Sequence, residues 1–420
     1  MKKNTEYLIG FILLIAIIII GNVGLTSSML FFRLLAGVGL GYALTRSFFG
    51  FAGSVNRSYR AGSTKLMRML MILFVGTAIV SVAFFLGQDV TKYDLWVNPI
   101  NLGLILGGIL FGFGMSFSSC CASGVLTDLV TGLPRAFITL IFFGMGVFVG
   151  FPIQSSAPWV TKTLVKTSTF KNGVFLPDLF KWDGLEGYLG AIIVTIIFAV
   201  IAIWIAKKYE DKRKSENSYL GVDTEILQEE INEDKEPFKL FSKKTYEKLF
   251  VKPWTLGMGA VVIGGIFTLL MGVTKAGWGA STPYGFWFGK LLIFFGVSPE
   301  SVASFSTKPA KIYTAPFFSH PINVQNFGII LGTIVALFLA GSFAKTVKEG
   351  LSITLKEGLI YVVGGFTMGL GTRLSNGCNV GALYTPIANF SLSGWIFLAF
   401  LVAGGILGNI VYKKLMVKKA

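Results

Sequence analysis

Hydrophobic positions along this chain come in continuous runs rather than stripes. The first group covers Leu8–Leu25, Leu30–Phe49, Met67–Leu86, Leu102–Phe117, Ala136–Ile153 and Tyr188–Ala206. A second group follows at Leu256–Val273, Gly285–Phe295, Phe327–Phe343, Leu359–Leu370 and Trp395–Tyr412. Soluble helices repeat apolar residues every three or four positions. Unbroken runs of roughly 18 to 22 residues instead match the length that crosses about 30 Å of hydrocarbon. The pattern predicts an all-α polytopic integral membrane protein. Between the two groups lies a polar stretch, Lys207 to Lys252, with about half of the 21 acidic residues. It reads as a solvated linker, partly helical around Thr224–Ile231. Three parts are therefore expected: an N-terminal membrane half (residues 1–206), a charged cytoplasmic linker (207–252) and a C-terminal membrane half (253–420).

Composition supports this reading. The 420 residues are 53% hydrophobic and 14% charged, against about a quarter charged in soluble domains. The 51 glycines suit membrane helices whose backbones approach closely. A formal charge of +16 raises the question of nucleic acid. No nucleic-acid module is recognisable, however, and the basic residues gather at Lys2 and Lys3, Arg57–Arg68, the linker, Lys345–Lys356 and Lys413–Lys419. The positive-inside rule places all of these in the cytoplasm, so the bilayer is the expected partner and nucleic acid is not. Gln88–Ile100 and Ser155–Gly187 then lie outside, although the second carries several Lys. The run after Lys3 lacks a small-residue cleavage site and reads as an uncleaved first helix. The expected location is the cell inner (plasma) membrane, with both termini cytoplasmic.

A repeat is the most informative feature. Gly107, Gly108, Gly112, Gly114, Ser118, Cys121, Gly124 and Leu126 recur 257 residues later as Gly364, Gly365, Gly369, Gly371, Ser375, Cys378, Gly381 and Leu383. A weaker echo sets Gly50-Phe51-Ala52-Gly53-Ser54 against Gly277-Trp278-Gly279-Ala280-Ser281. The first copy follows an outside loop and the second a cytoplasmic one, so the copies are expected to cross in opposite directions. That predicts two inverted-topology repeats, with a site near the midplane where they meet.

Both copies put Gly and Ser around a cysteine in an apolar segment, which makes a poor continuous helix. Irregular backbone at membrane depth persists only when buried in protein or lining a cavity. Broken or re-entrant helices meeting near the midplane are expected, and their free N–H groups would suit an anion. Arg46, Lys275 and Arg373 stand beside the Gly-rich breaks, with Asp128 the only acid near a core motif. That bias favours an anionic substrate, unless these chains snorkel to the interface. A lone cysteine is usually a small buried hydrophobe, but Cys121 and Cys378 are paired by the repeat. Cys120 faces Gly377 and has no such partner. The candidate path comprises Cys121, Cys378, Cys120, Ser123, Gly124, Asn379, Gly381 and Arg373, with Gly53 and Gly279 from the weaker echo. Three cysteines and one histidine, His320, without a CxxC pair, are too few for structural zinc or a disulfide framework. No metal or other cofactor is expected.

The segment Ser119-Cys120-Cys121-Ala122-Ser123-Gly124-Val125-Leu126, together with Ser375-Asn376-Gly377-Cys378-Asn379-Val380-Gly381-Ala382-Leu383, resembles the YeeE/YedE sulfur-transport family. That family carries a Gly-Cys-x-x-Gly core once per half, and here Cys120 replaces the first Gly. The resemblance implies thiosulfate uptake through a compact hourglass-like helical fold, with Cys121 and Cys378 matching the motif cysteines. It also implies other sulfur or selenium compounds as alternative substrates, and a small cytosolic sulfur-carrier protein as a partner for the linker. Thiosulfate, a dianion with a soft terminal sulfur, suits backbone N–H groups and thiols together.

The rival reading is a membrane thiol oxidoreductase or sulfurtransferase, which needs an activated thiol and an acceptor. No quinone or haem motif accompanies the cysteines, and His320 between Ser319 and Pro321 reads as a loop residue. Channel and carrier both fit broken helices. No Walker A sequence is present.

Overall fold

A computed structural model describes residues 3–232 and 242–416. Lys2, linker residues 233–241 and the tail beyond Met416 lie outside the described residues. Those described form helices joined by loops, with isolated bridges at Asp94–Ala276 and Phe175–Ser391 and no strand. Among the described residues, eight helices are long and apolar enough to cross a membrane.

The first half contains α1 (Lys3–Gly24), α2 (Ser28–Ser47), α3 (Phe51–Ala61), α4 (Lys65–Phe85), α5 (Leu102–Ser118), α6 (Gly124–Thr131), α7 (Leu133–Ser156) and α8 (Tyr188–Ser215). A short helix, α9 (Asp223–Asn232), sits in the linker. The second half contains α10 (Leu256–Thr274), α11 (Thr282–Phe294), α12 (Pro321–Leu339), α13 (Leu355–Leu374) and α14 (Leu392–Met416). Side-chain caps set several starts: Ser27 accepts from Leu30 N, Asn101 from Leu104 N and Thr255 from Met258 N. Thr354 and Glu357 form a capping box on α13.

Some boundaries differ from the hydrophobic runs. The run Phe327–Phe343 becomes α12, which starts six residues earlier at Pro321 and carries Asn323, Gln325 and Asn326, all buried. Their amide N–H groups reach the carbonyls of Phe317, Gly279 and Ala280, so these donors are satisfied inside the protein. The run Gly285–Phe295 becomes α11, only 13 residues long and about 20 Å at 1.5 Å per residue, too short to cross alone. Helix α8 continues past Ala206 to Ser215, into the predicted linker.

Helices break where the Gly-rich segments predicted. Helix α5 stops at Ser119 (φ 56), and α13 is followed by Asn376 (φ 59), 257 residues on. Helix α2 stops at Phe48 (φ 50) and α10 at Lys275 (φ 54), 227 residues apart. Each pair shares one left-handed stop at the spacing of its repeat.

The repeated glycines are helix contacts. A Cβ on Gly107 would stand 2.7 Å from Gly371 O, and one on Gly114 would stand 2.4 Å from Gly364 O. In return, a Cβ on Gly371 would meet Gly107 O at 2.8 Å and one on Gly364 would meet Gly114 O at 2.9 Å. Low numbers on α5 thus face high numbers on α13, and the two helices run antiparallel. By the same reasoning α2 and α10 are antiparallel, since Gly39 faces Ile266 and Gly259 faces Ser47. Around these two pairs, α5 packs on α14, α13 on α7, α2 on α12 and α4 on α10. The main hydrophobic cluster at the centre includes all three cysteines.

Candidate functional site

Each motif serine shapes the break that carries its cysteine. Ser118 Oγ lies 3.0 Å from Gly114 O and 3.3 Å from Cys120 O. Ser375 Oγ lies 2.7 Å from Gly371 O and 3.0 Å from Gly377 O. Both hydroxyls therefore cover a carbonyl of the last helical turn and one just beyond it. After the break, Val125 N donates to Cys121 O and Ala382 N to Cys378 O. The two cysteines share this hydrogen-bond pattern, although the chain after Cys121 continues as the α-helix α6 and the chain after Cys378 as a π-helical turn over Asn379–Tyr384.

Cys121 and Cys378 are both 1% exposed and are free thiols. Ser123 Oγ lies 3.4 Å from Cys121 Sγ. Gly124 lies against the cysteine pair, and a Cβ there would make ordinary contact with Cys120 Cβ and Cys121 Sγ at 3.5 and 3.6 Å. Tyr284 on α11 donates its hydroxyl to Ala122 O, next to Cys121 in sequence. It joins the cysteine segment of the first half to the second half.

Cys378 lines a cavity of about 280 Å³, near the lower end of small-molecule sites, which run from about 300 to 1,000 Å³. Arg373, Ser281, Thr282, Asn98 and Gly381 share the wall. Arg373 is 3% exposed, so it does not snorkel. Its guanidinium reaches Ser281 Oγ and Thr282 Oγ1 at 3.3 Å and Gln154 Oε1 at 3.4 Å, and stacks on Phe151. Among the described residues no carboxylate pairs with it. A buried cation without a counter-ion is costly, and an anion in this cavity would supply one.

The remaining candidates divide. Gly279 and Gly381 line the cavity, whereas Gly53 lies inside α3 against Leu66 and Arg57. Asn379 is buried, and its amide N lies 3.2 Å from Met115 Sδ. Cys120 is buried beside Cys121 and does not line the cavity. Arg46 donates to Lys252 O, and its own carbonyl accepts from Trp254 N, so it anchors the start of the second half. Lys275 is exposed over the Tyr93 ring, and Asp128 is paired with Arg135 at 2.9 Å. His320 precedes the first turn of α12, with its ring against Phe286.

The sequence reading missed a supporting network. Arg33 on α2 donates to Gln325 Oε1, and Gln325 donates to Gly279 O. Together with Asn326 on Ala280 O it holds the segment between α10 and α11 in place. The signal was available: two adjacent amide residues just before an apolar run, and an arginine inside another.

Comparison with known proteins gives a consistent picture. The thiosulfate transporter TsuA of Escherichia coli strain K12 is 25% identical over 388 residues, covering 90% of this chain and 93% of its own. TsuA of Spirochaeta thermophila is 24% identical over 343 residues, covering 78% and 83%. The probable transporter YedE of Escherichia coli is 29% identical over 147 residues, 35% of each chain. Residues 46–407 match the Sulf_transp model, described as sulphur transport. The chain belongs to that family, and it is a multi-pass membrane transporter, not an enzyme.

Proposed function

We propose that this protein carries thiosulfate, or a closely related sulfur anion, across the inner membrane by way of Cys378 and Cys121. The observation that carries the proposal is the cavity wall shared by a buried, unpaired Arg373 and the Cys378 thiol. The cation suits the anion's charge, and the thiol offers a polarizable surface to its terminal sulfur. Hydroxyls of Ser281 and Thr282 supply donors for the oxygens. Cys121, with the Ser123 hydroxyl beside it, is the next sulfur contact beyond Cys378 in this reading. The names of the TsuA relatives favour the same substrate.

The path lies between two inverted repeats in this reading. Antiparallel α5 and α13, reciprocal Gly contacts and matched left-handed stops support it. The cavity is lined in part by Trp96 and Asn98 of the loop between α4 and α5 and by Gln154 near the end of α7, a side that we assign to the outside. Basic segments gather at the other end: Arg57 pairs with Glu225, Lys65 with Glu229, and Lys356 Nζ reaches Leu415 O. That end would be cytoplasmic and would receive any sulfur-carrier partner.

The test is growth of a bacterium lacking sulfate and thiosulfate uptake, with thiosulfate as sole sulfur source. Wild type should restore growth, while Cys121→Ala and Cys378→Ala should abolish it at matched membrane levels. Absence of growth with well-expressed wild type would overturn the substrate. Growth in both mutants would overturn the paired-thiol path.

A further inference from the structure

Trp96 stands on the loop between α4 and α5 with φ 54, a left-handed conformation that a bulky residue rarely adopts without a compensating role. Its indole edge is seated on two glycines. A Cβ on Gly279 would come within 2.5 Å of the ring, and one on Gly381 within 2.8 Å. Any larger residue at either position would push the ring away. The same indole lines the Cys378 cavity and also a neighbouring cavity of about 440 Å³. The second cavity is bounded by loop residues, among them Lys171 and Asn172. Asn98, Gln154 and Asn376 line both spaces, so the two adjoin and Trp96 stands at their boundary.

The loop backbone is pinned on both sides of this ring. Asp94 N donates to Lys275 O at 2.8 Å, Asn389 Nδ2 to Leu95 O at 3.2 Å, and Asn98 Nδ2 to Gly381 O at 3.3 Å. Leu95 and Val97 are buried, whereas Trp96 is only half-buried. Its side chain can therefore turn while the loop stays in place. The corresponding loop before α13, residues 340–354, contains no tryptophan, so the device serves one mouth only.

We propose that Trp96 is the door between the outer cavity and the Cys378 chamber, and that its indole sets the size of anion admitted. This rests on reading the chamber as the transport path. An ion would pass when the ring swings off Gly279 and Gly381, and the left-handed backbone holds the ring over the opening between passages.

The test measures access to Cys378 rather than transport. In protein carrying Cys120→Ala and Cys121→Ala, a membrane-impermeant anionic methanethiosulfonate is added to intact cells and to inside-out vesicles. Trp96→Ala should speed modification of Cys378 tenfold or more from one side only, and Trp96→Phe should stay within twofold of the parent. Gly279→Ala, which displaces the ring without removing it, should also speed modification, and it replaces Trp96→Ala if that variant fails to accumulate. A bulkier reagent of the same charge should gain more from Trp96→Ala than a small one. Unchanged rates from both sides, in whichever of Trp96→Ala and Gly279→Ala accumulates, would overturn the door. Because labelling needs no transport, failed thiosulfate uptake by wild type would overturn the function and leave this result to stand separately.

Discussion

Arg373 and Arg46 begin from the same local signal, an arginine beside a Gly-rich break, and end in different work. Arg373 meets hydroxyls and one amide oxygen on a cavity wall. Arg46 spends its hydrogen bond on the backbone carbonyl of Lys252. Replacing Arg373 with Gln keeps hydrogen-bonding capacity but removes the charge. It should weaken thiosulfate uptake about a hundredfold, the effect of losing a charged hydrogen bond of about 3 kcal/mol. Arg373→Lys should recover only part, because an ammonium lacks the guanidinium fork. Concentration-dependent uptake into vesicles at matched protein levels checks both. Arg46→Gln should instead lower stability by about 1–3 kcal/mol with substrate affinity retained, read from thermal unfolding in detergent beside uptake. Nothing within a few residues of either arginine announces this difference, because the deciding partners are far along the chain.

The breaks in α5 and α13 are built alike, so matched substitutions should have matched effects. Ser118→Ala and Ser375→Ala each remove a hydroxyl that covers two carbonyls. Each should cost about 1 kcal/mol, and similar thermal shifts in the two variants would support equivalent roles. The crossing of α5 and α13 is less forgiving. Gly114→Leu would drive a side chain into Gly364 O and the Thr367 and Met368 side chains, and overpacking of this kind costs about 1–3 kcal/mol or more. The expected outcome is loss of monodisperse protein on size exclusion, whereas Gly76→Ala, with nothing within 4 Å of its Cβ, should leave the profile unchanged. These elements were legible in the sequence to an unusual degree. Gly spacing at membrane depth reports close backbone contact, and one offset shared by eight positions reports two similar contacts.

For the whole molecule, the linker is more than a solvated tether. Glu225 is 2% exposed, pairs with Arg57 at 3.0 Å and accepts from Ser63. Gln228 donates to Ser47 O at the end of α2 and to Trp254 O just before α10. Glu210 accepts from Thr64 N and pairs with Arg68. Buried charges paired in this way hold elements in register, and removing one partner strands the other. Glu225→Ala should release α9 and make the linker cleave faster under limited proteolysis in inverted vesicles. Unchanged cleavage would mean that this docking contributes little. Charge count alone marked the stretch as polar; which acids face inward was decided by the basic loop they meet.

The amino-acid sequence by itself determined the membrane class, most of the spans, the breaks around Cys121 and Cys378, and the pairing of those breaks across two halves. All of these follow from run length, Gly placement and periodic identity, which are local or self-referential properties of a chain. Only the tertiary structure decided that Arg373 faces a cavity while Arg46 bonds the Lys252 carbonyl, that Gln325 and Asn326 hold the second break, and that Trp96 rests on Gly279 and Gly381. Each of these depends on which distant segments meet, and close packing makes such meetings specific without marking either segment beforehand.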